Sequence, residues 1–408
     1  MSLNYDKILK IILTENFVMD CFLGEDGTNK VRIDTMHKPD HEGLYYAKRK
    51  QIPFGLHHKF FESTEFYNYD RLIVLMRYML DQKYTTADDS KRHWYIVNLE
   101  KLTNLFHSEG ELHSQQNKRV LHHRACYSSG KGTFGRLFSN KNSLQYLPDE
   151  IKHFLCEDLY TSLEMPNRFC ILADYAKSRG IEVDHLHAYI HNTETILRKK
   201  ALFDLTSVSE AKKRMSLALD SKEYEGRCQG YFSREIAFDA NKIRKNLMYE
   251  IMFLHKKLYR YKKLNRIRME YYDPCEENDV DVIGVQLQSI YCNIVETELF
   301  GELSSFLLEN INTMLDLNLG SLPFFSFLGY EATLSCVPCF EKVFITTDDS
   351  MSIGMLSTYV KSFNRELSAS NPLLRFELSQ KVDAYEFMDK DVLETLLKAH
   401  KENIANKS

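Results

Sequence analysis

SREIAFDANKIRKNLMYEIMFLHKKLYRYKKLNRIRM, residues 233–269, contains neither glycine nor proline. Ile243, Leu247, Ile251, Leu254, Leu258 and Tyr261 step by three or four, the interval that lines one side of an α-helix. An unbroken stretch with this rhythm predicts one long helix. Its other faces are cationic: from Lys242 to Arg268, ten Lys or Arg stand against one acid, Glu250. Lys245, Tyr249, Lys256, Arg260 and Lys263 are separated by near-whole turns and fall close together around the cylinder. Closely spaced cations attract phosphates, and tyrosines among them lie against sugars or bases. A solvated face, or docking on an acidic part of the same chain, is the competing reading.

The rest of the chain supplies such an acidic part. The 408 residues carry 53 Lys or Arg and 57 Asp or Glu, a formal charge of −4. That balance hides a segregation: residues 270–408 hold 9 basic against 23 acidic side chains, leaving 44 against 34 for residues 1–269. The sign changes at Glu270-Tyr-Tyr-Asp-Pro-Cys-Glu-Glu-Asn-Asp279, an acidic stretch with Pro274 that reads as a linker or domain edge. Three regions follow: 1–90, mixed α/β; 91–270, a nucleic-acid-binding core with the long basic helix; and 271–408, an acidic, mainly helical domain suited to a protein partner.

With 16 Gly and 8 Pro, loops should be few and helices plentiful, and 44% apolar residues suffice for a substantial core. Collagen-like, disordered and small disulfide-scaffold classes are excluded. Tyr69 to Gln82 and Leu303 to Leu315 have helical spacing; Asn16 to Asp34 alternates around Gly24-Glu-Asp-Gly27 as a hairpin would, and Arg92 to Asn98 reads as a strand. The expected fold is α+β and predominantly helical, with a small mixed or antiparallel sheet in the N-terminal two thirds and a helical C-terminal part. No run of apolar residues is long enough to span a bilayer, and nine irregularly spaced cysteines suit reduced thiols, so a cytoplasmic protein with no membrane partner is expected.

Ala173 to Ile190 reads as helix, turn, helix, with Gly180 at the left-handed end of the first helix and Asp184 as N-cap of the second. The spacing resembles a helix-turn-helix unit, which would bring Ile181 to Asn192 toward bases, although any two short packed helices would produce it. Nucleic acid, DNA ahead of RNA, is the expected partner.

The same segment holds His185-Leu-His187-Ala-Tyr-Ile-His191. On a strand, His185 and His187 would share a face and a divalent ion; on a helix they diverge, and His187 and His191 become neighbours. The strand version resembles the His-hydrophobic-His motif of the HUH single-strand endonucleases, the rolling-circle initiators and relaxases. That resemblance implies Mg²⁺ or Mn²⁺ on His185 and His187, and attack on the phosphate by Tyr259 of Tyr259-Arg-Tyr-Lys262, with Tyr261 as competitor.

Gly130-Lys-Gly-Thr-Phe-Gly135 has the spacing of a protein-kinase glycine loop, but no His-Arg-Asp, Asp-Phe-Gly or Ala-Pro-Glu accompanies it. It reads as a basic surface loop whose Lys131, with Arg136, would touch phosphate. Cys336-Val-Pro-Cys339 lacks a second pair for zinc and reads as two reduced cysteines in a packed turn. The expected function is nucleic-acid binding through Lys245, Lys256, Lys257, Arg260, Lys263, Lys131 and Arg136; the endonuclease and a non-catalytic assembly subunit are the alternatives.

Overall fold

The computed structural model describes residues 17–23, 29–35, 60–107, 111–115, 118–129, 136–139, 143–157, 159–220, 231–262, 277–316, 335–339, 341–346, 351–379 and 385–406. The fold is α+β and mostly helical, with small antiparallel sheets. Strands β1 (Phe17–Leu23) and β2 (Asn29–Thr35) form the expected hairpin; Gly24 to Gly27 lie outside the described residues. A second sheet has the order β3 (Phe60–Asn68), β5 (Lys118–Ser129), β4 (Glu111–Gln115), with β6 (Leu137–Ser139) also on β5.

Helix α1 (Tyr69–Thr85) follows β3 directly, its N-cap Asn68 accepting from the Arg71 amide at 3.1 Å. Helix α2 (Asp89–Phe106) includes the stretch expected to be a strand. Asp88 caps it by accepting from the Ser90 and Lys91 amides, and Tyr95, Asn98, Leu102 and Leu105 turn inward at intervals of three and four. The apolar group Trp94 to Val97 is too short to distinguish the two periods; the cap and the partners on α1 decide for helix.

After a 3₁₀ turn at Leu144–Tyr146 come α3 (Asp149–Cys156), β7 (Tyr160–Glu164), α4 (Arg168–Ser178), α5 (Asp184–His191), α6 (Thr193–Phe203), α7 (Val208–Leu219), α8 (Tyr231–Lys262) and α9 (Glu277–Asp316). Strands β8 (Cys336–Cys339) and β9 (Lys342–Thr346), helix α10 (Met351–Ser368), strand β10 (Glu377–Leu378) and helix α11 (Lys390–Ala405) complete the described elements. The third sheet runs β10-β7-β9-β8, so β7, from the basic part, lies between two strands of the acidic part. The C-terminal third is therefore not purely helical. Cys336 and Cys339 are buried on a strand, not in a turn, and burial pushes both thiols up to about 12. No described helix is long and apolar enough to cross a membrane.

Side chains tie these layers together. Gln145 donates to the Leu137 and Pro338 carbonyls, both at 2.9 Å, Tyr95 OH donates to the Phe387 carbonyl at 2.6 Å, and Arg71 meets Glu394 of α11 at 2.9 Å. The most concentrated node is Glu65 on β3, wholly buried. Its carboxylate accepts from the hydroxyls of Tyr67 and Tyr127, from Ser143 Oγ at 2.7 Å and from the Leu144 amide at 2.9 Å. A buried carboxylate is tolerable only when donors surround it, and these come from two strands and the 3₁₀ turn.

Two stability predictions follow from this packing. Glu65→Gln replaces an acceptor by a donor among donors that include the fixed Leu144 amide; urea unfolding should show a loss of about 2 kcal/mol. His153 on α3 packs against Phe344, and burial together with the Lys342 ammonium lowers its imidazole from 6.5 to about 4. The unfolded chain then binds the extra proton first, so this contribution is complete above pH 6.5 and is lost as pH falls from 6.5 toward about 4. His153→Gln should flatten the stability profile across that interval.

Candidate nucleic-acid interface

Helix α8 realises the long helix expected from sequence, with backbone described to Lys262. Ile236, Ala237, Ala240, Ile243 and Leu247 are all essentially buried, and α8 packs against α4, α5, α7 and α9. Burying this stripe fixes the rotation of the helix. Tyr231, Arg234, Phe238, Lys245 and Tyr249 are consequently exposed, with the half-exposed Lys242 among them. At 100° per residue these six positions occupy an arc of about 80°, and they extend over roughly 27 Å of helix. The Lys242 ammonium lies 4.6 Å from the Phe238 ring centroid and donates to the Glu182 carbonyl at 2.8 Å.

The helix carries eight Lys or Arg and three acids, Glu235, Asp239 and Glu250, up to Lys262. Each acid has a partner on a neighbouring element. Asp239 is wholly buried and accepts from the His185 and Leu186 amides at 2.9 and 3.0 Å, capping α5. Glu235 lies 3.4 Å from His185 Nε2. Glu250 meets Arg179 Nε at 2.8 Å and accepts from Tyr175 OH at 2.9 Å, and burial with this carboxylate raises the Tyr175 phenol. Two of these acids also touch the arc itself, Asp239 meeting Lys242 at 3.4 Å and Glu235 accepting from Tyr231 OH. Among the described residues, neither Arg234 nor Lys245 has an ion-pair partner.

The expected site residues divide on this frame. Lys245 is exposed on the arc beside Tyr249. Positions 256 and 260 continue the same arc along the helical backbone, while 257 and 259 flank it; the side chains of Lys256, Lys257, Tyr259 and Arg260 lie outside the described ones. Lys131 and Lys263 lie outside the described residues altogether. Arg136 is part-buried and binds Glu296 of α9 at 2.5 Å through Nη2 and 3.1 Å through Nε. Burial raises the Glu296 carboxyl and the Arg136 guanidinium opposes that shift. Its charge is met by the acidic part of the chain.

The histidine pair requires a different correction. Residues 184–191 form helix α5, so His185 and His187 are about 200° apart around it and do not converge on one ion. His185 instead faces α8, with Nδ1 3.5 Å from Asp239 and Nε2 beside Glu235. No cluster of three or more metal-ligating side chains occurs among the described residues. The metal implied by the endonuclease resemblance does not fit this donor arrangement. Gly180 takes the expected left-handed conformation at φ +65, but Asp184 is the first helical residue and its expected capping role is performed by Asp239. With Leu186 and Tyr189 buried and its leading amides occupied, α5 does not present its N-terminus to a groove.

Tyr231, Arg234 and Phe238 lie upstream of the cation-rich stretch; extending the helical wheel back from Lys245 puts them on its arc. Compared with known proteins, the chain matches no family model and no curated protein at a significant level.

Asp239→Ala would leave the first amides of α5 without their acceptor in a buried setting. The expected loss is about 2 kcal/mol in denaturant unfolding, with Asp239→Asn recovering part of it.

Proposed function

We propose that the protein binds nucleic acid along the outer arc of α8, with Arg234 and Lys245 on phosphates and Phe238 and Tyr249 against sugars or bases. The observation that supports this reading is the orientation of α8: its three acids are engaged by neighbouring elements, while aromatic and cationic side chains alternate on the exposed face. Phosphates require closely spaced, unopposed cations, and unpaired bases require exposed rings between them. A single strand suits such an arc better than a duplex groove, since α5 does not offer a recognition helix. Lys256 and Arg260 extend the cationic positions along the backbone.

The reading predicts a salt-dependent interaction, measured by fluorescence anisotropy with a labelled single-stranded DNA and the matching RNA. Replacing Lys245, Lys256 and Arg260 together by Glu should weaken binding at least about tenfold and reduce the log–log salt slope by about two. Tyr249→Ala should cost about 1–2 kcal/mol with single strands and less with duplex. Unchanged affinity in the triple variant would overturn the proposal.

A further inference from the structure

Helices α6 and α7 form a hairpin that buries Leu197, Ala201, Ala211, Met215 and Ala218 on its inner side. Its turn carries a second apolar group that buries little: Leu202 is 76% exposed, Phe203 81%, Leu205 93% and Val208 46%. Contiguous apolar side chains this exposed form a projecting surface, not a groove. Leu205 is also the one non-glycine residue at positive φ among the described residues, at 51°.

That conformation belongs to a recognisable helix ending. Thr206 N–H donates to the Ala201 carbonyl at 2.9 Å and Leu205 N–H to Leu202 at 3.4 Å, the double closure of a Schellman turn. The same closure ends α4, where Ile181 N–H donates to Ala176 at 2.9 Å and Gly180 N–H to Lys177 at 3.2 Å. There the left-handed residue is glycine, as the absence of a Cβ favours. In the second turn a leucine takes the strained position and points its side chain to water. Neither backbone preference nor burial accounts for that choice, and strain retained at an exposed apolar residue points to a role in contact.

The turn is braced from beneath. Asp204 accepts from the buried Lys200 at 2.8 Å and from Arg214 at 3.2 Å, and Ser207 accepts from the Glu210 amide to start α7. Each acid of the hairpin is paired: Glu194 with Arg198, Asp204 with Lys200 and Arg214, and Glu210 with Arg214. Lys199, Lys212 and Lys213 remain exposed and opposed by no described acid. Lys199 sits one turn behind Leu202 and Phe203, and Lys212 one turn beyond Val208, so the cations form a collar about 5 Å behind the apolar tip.

We propose that this turn is a membrane-surface anchor, in which Leu202, Phe203, Leu205 and Val208 enter the acyl boundary of an anionic bilayer while Lys199, Lys212 and Lys213 meet its headgroups. Lying on a membrane makes different demands from spanning one, and the spacing of tip and collar matches the shallow depth of an interfacial element. A projecting tip whose charged groups are paired beneath it, Asp204 with Lys200 and Arg214, offers apolar area and diffuse charge. A fluid anionic surface needs nothing more, whereas a protein partner would have to supply a matching cavity.

The test is flotation of the full chain, freed of nucleic acid, with vesicles of phosphatidylcholine alone or mixed with phosphatidylserine at about three to one. The native chain should bind the mixed vesicles at least about tenfold more tightly than the neutral ones. Leu205→Gly should weaken that binding about fivefold while leaving Tm unchanged or higher, since glycine relieves the left-handed strain. Combining it with Phe203→Ser should remove binding, and Lys199→Glu with Lys212→Glu should abolish the preference for phosphatidylserine. Failure of the native chain to bind mixed vesicles, or undiminished binding by the Leu205→Gly, Phe203→Ser variant, would overturn the anchor. So would capture of a purified acidic protein that depends on the tip without any vesicle binding.

Discussion

Helix α8 has one apolar stripe to remove from water, and the rotation that buries it determines much else in the molecule. Five small or aliphatic side chains face the surrounding helices, which turns Asp239 into the first amides of α5 and Glu250 onto Arg179. The opposite face is left to Tyr231, Arg234, Phe238, Lys242, Lys245 and Tyr249. Non-directional hydrophobic burial thus fixes the orientation, and electrostatics on the exposed face is a consequence of it. A basic helix could have turned its cations onto an acidic neighbour; here it is principally the acids that turn inward.

A second constraint joins the basic and acidic parts of the sequence. Strand β7 is hydrogen-bonded between β9 and β10, and the sheet containing β3 and β5 reaches β8 through Gln145 and through the Ser63–Ser335 hydroxyl contact at 3.0 Å. Glu65 concentrates donors from Tyr67, Tyr127, Ser143 and the Leu144 backbone at this junction. Opposite charges in the two parts also meet directly, as in Arg136–Glu296 and Arg71–Glu394. Part of the charge segregation visible along the chain is therefore neutralised across its packing, and the cations that face outward are the ones left exposed to solvent.

The α6–α7 turn is a different use of the same residue types. On α8 the rings are interleaved with cations along a helix face, whereas at the turn the apolar side chains project beyond a cationic collar. The contrast between Gly180 and Leu205 in equivalent backbone positions is informative because the hydrogen-bonding frame is the same. What differs is whether a side chain is carried outward at the cost of backbone strain.

The long helix, the helix beginning at Tyr69, the first hairpin and the left-handed Gly180 were legible in sequence because each depends on neighbours within a few residues. Spacing of three and four, absence of glycine and proline, and a glycine at a turn are local signals. The stretch around Trp94 is ambiguous in sequence because four adjacent apolar residues satisfy both periods, and the outcome rests on the Asp88 cap and on α1. Cys336 to Cys339 became a strand because it pairs in a hairpin with β9, which the distant β7 holds on its other side. The candidate interface was half legible: helical periodicity grouped Lys245 and Tyr249, but Arg136 offered no sign that Glu296, 160 residues away, would bind it. His185 and His187 likewise carried a motif whose meaning depended on backbone geometry. Sequence by itself determined the helical content, the uneven charge and the amphipathic stripe, all properties of adjacent residues. Tertiary structure decided which charges cancel and which face outward, because cancellation requires groups far apart in the chain to be brought within a few ångströms, and local spacing holds no record of that.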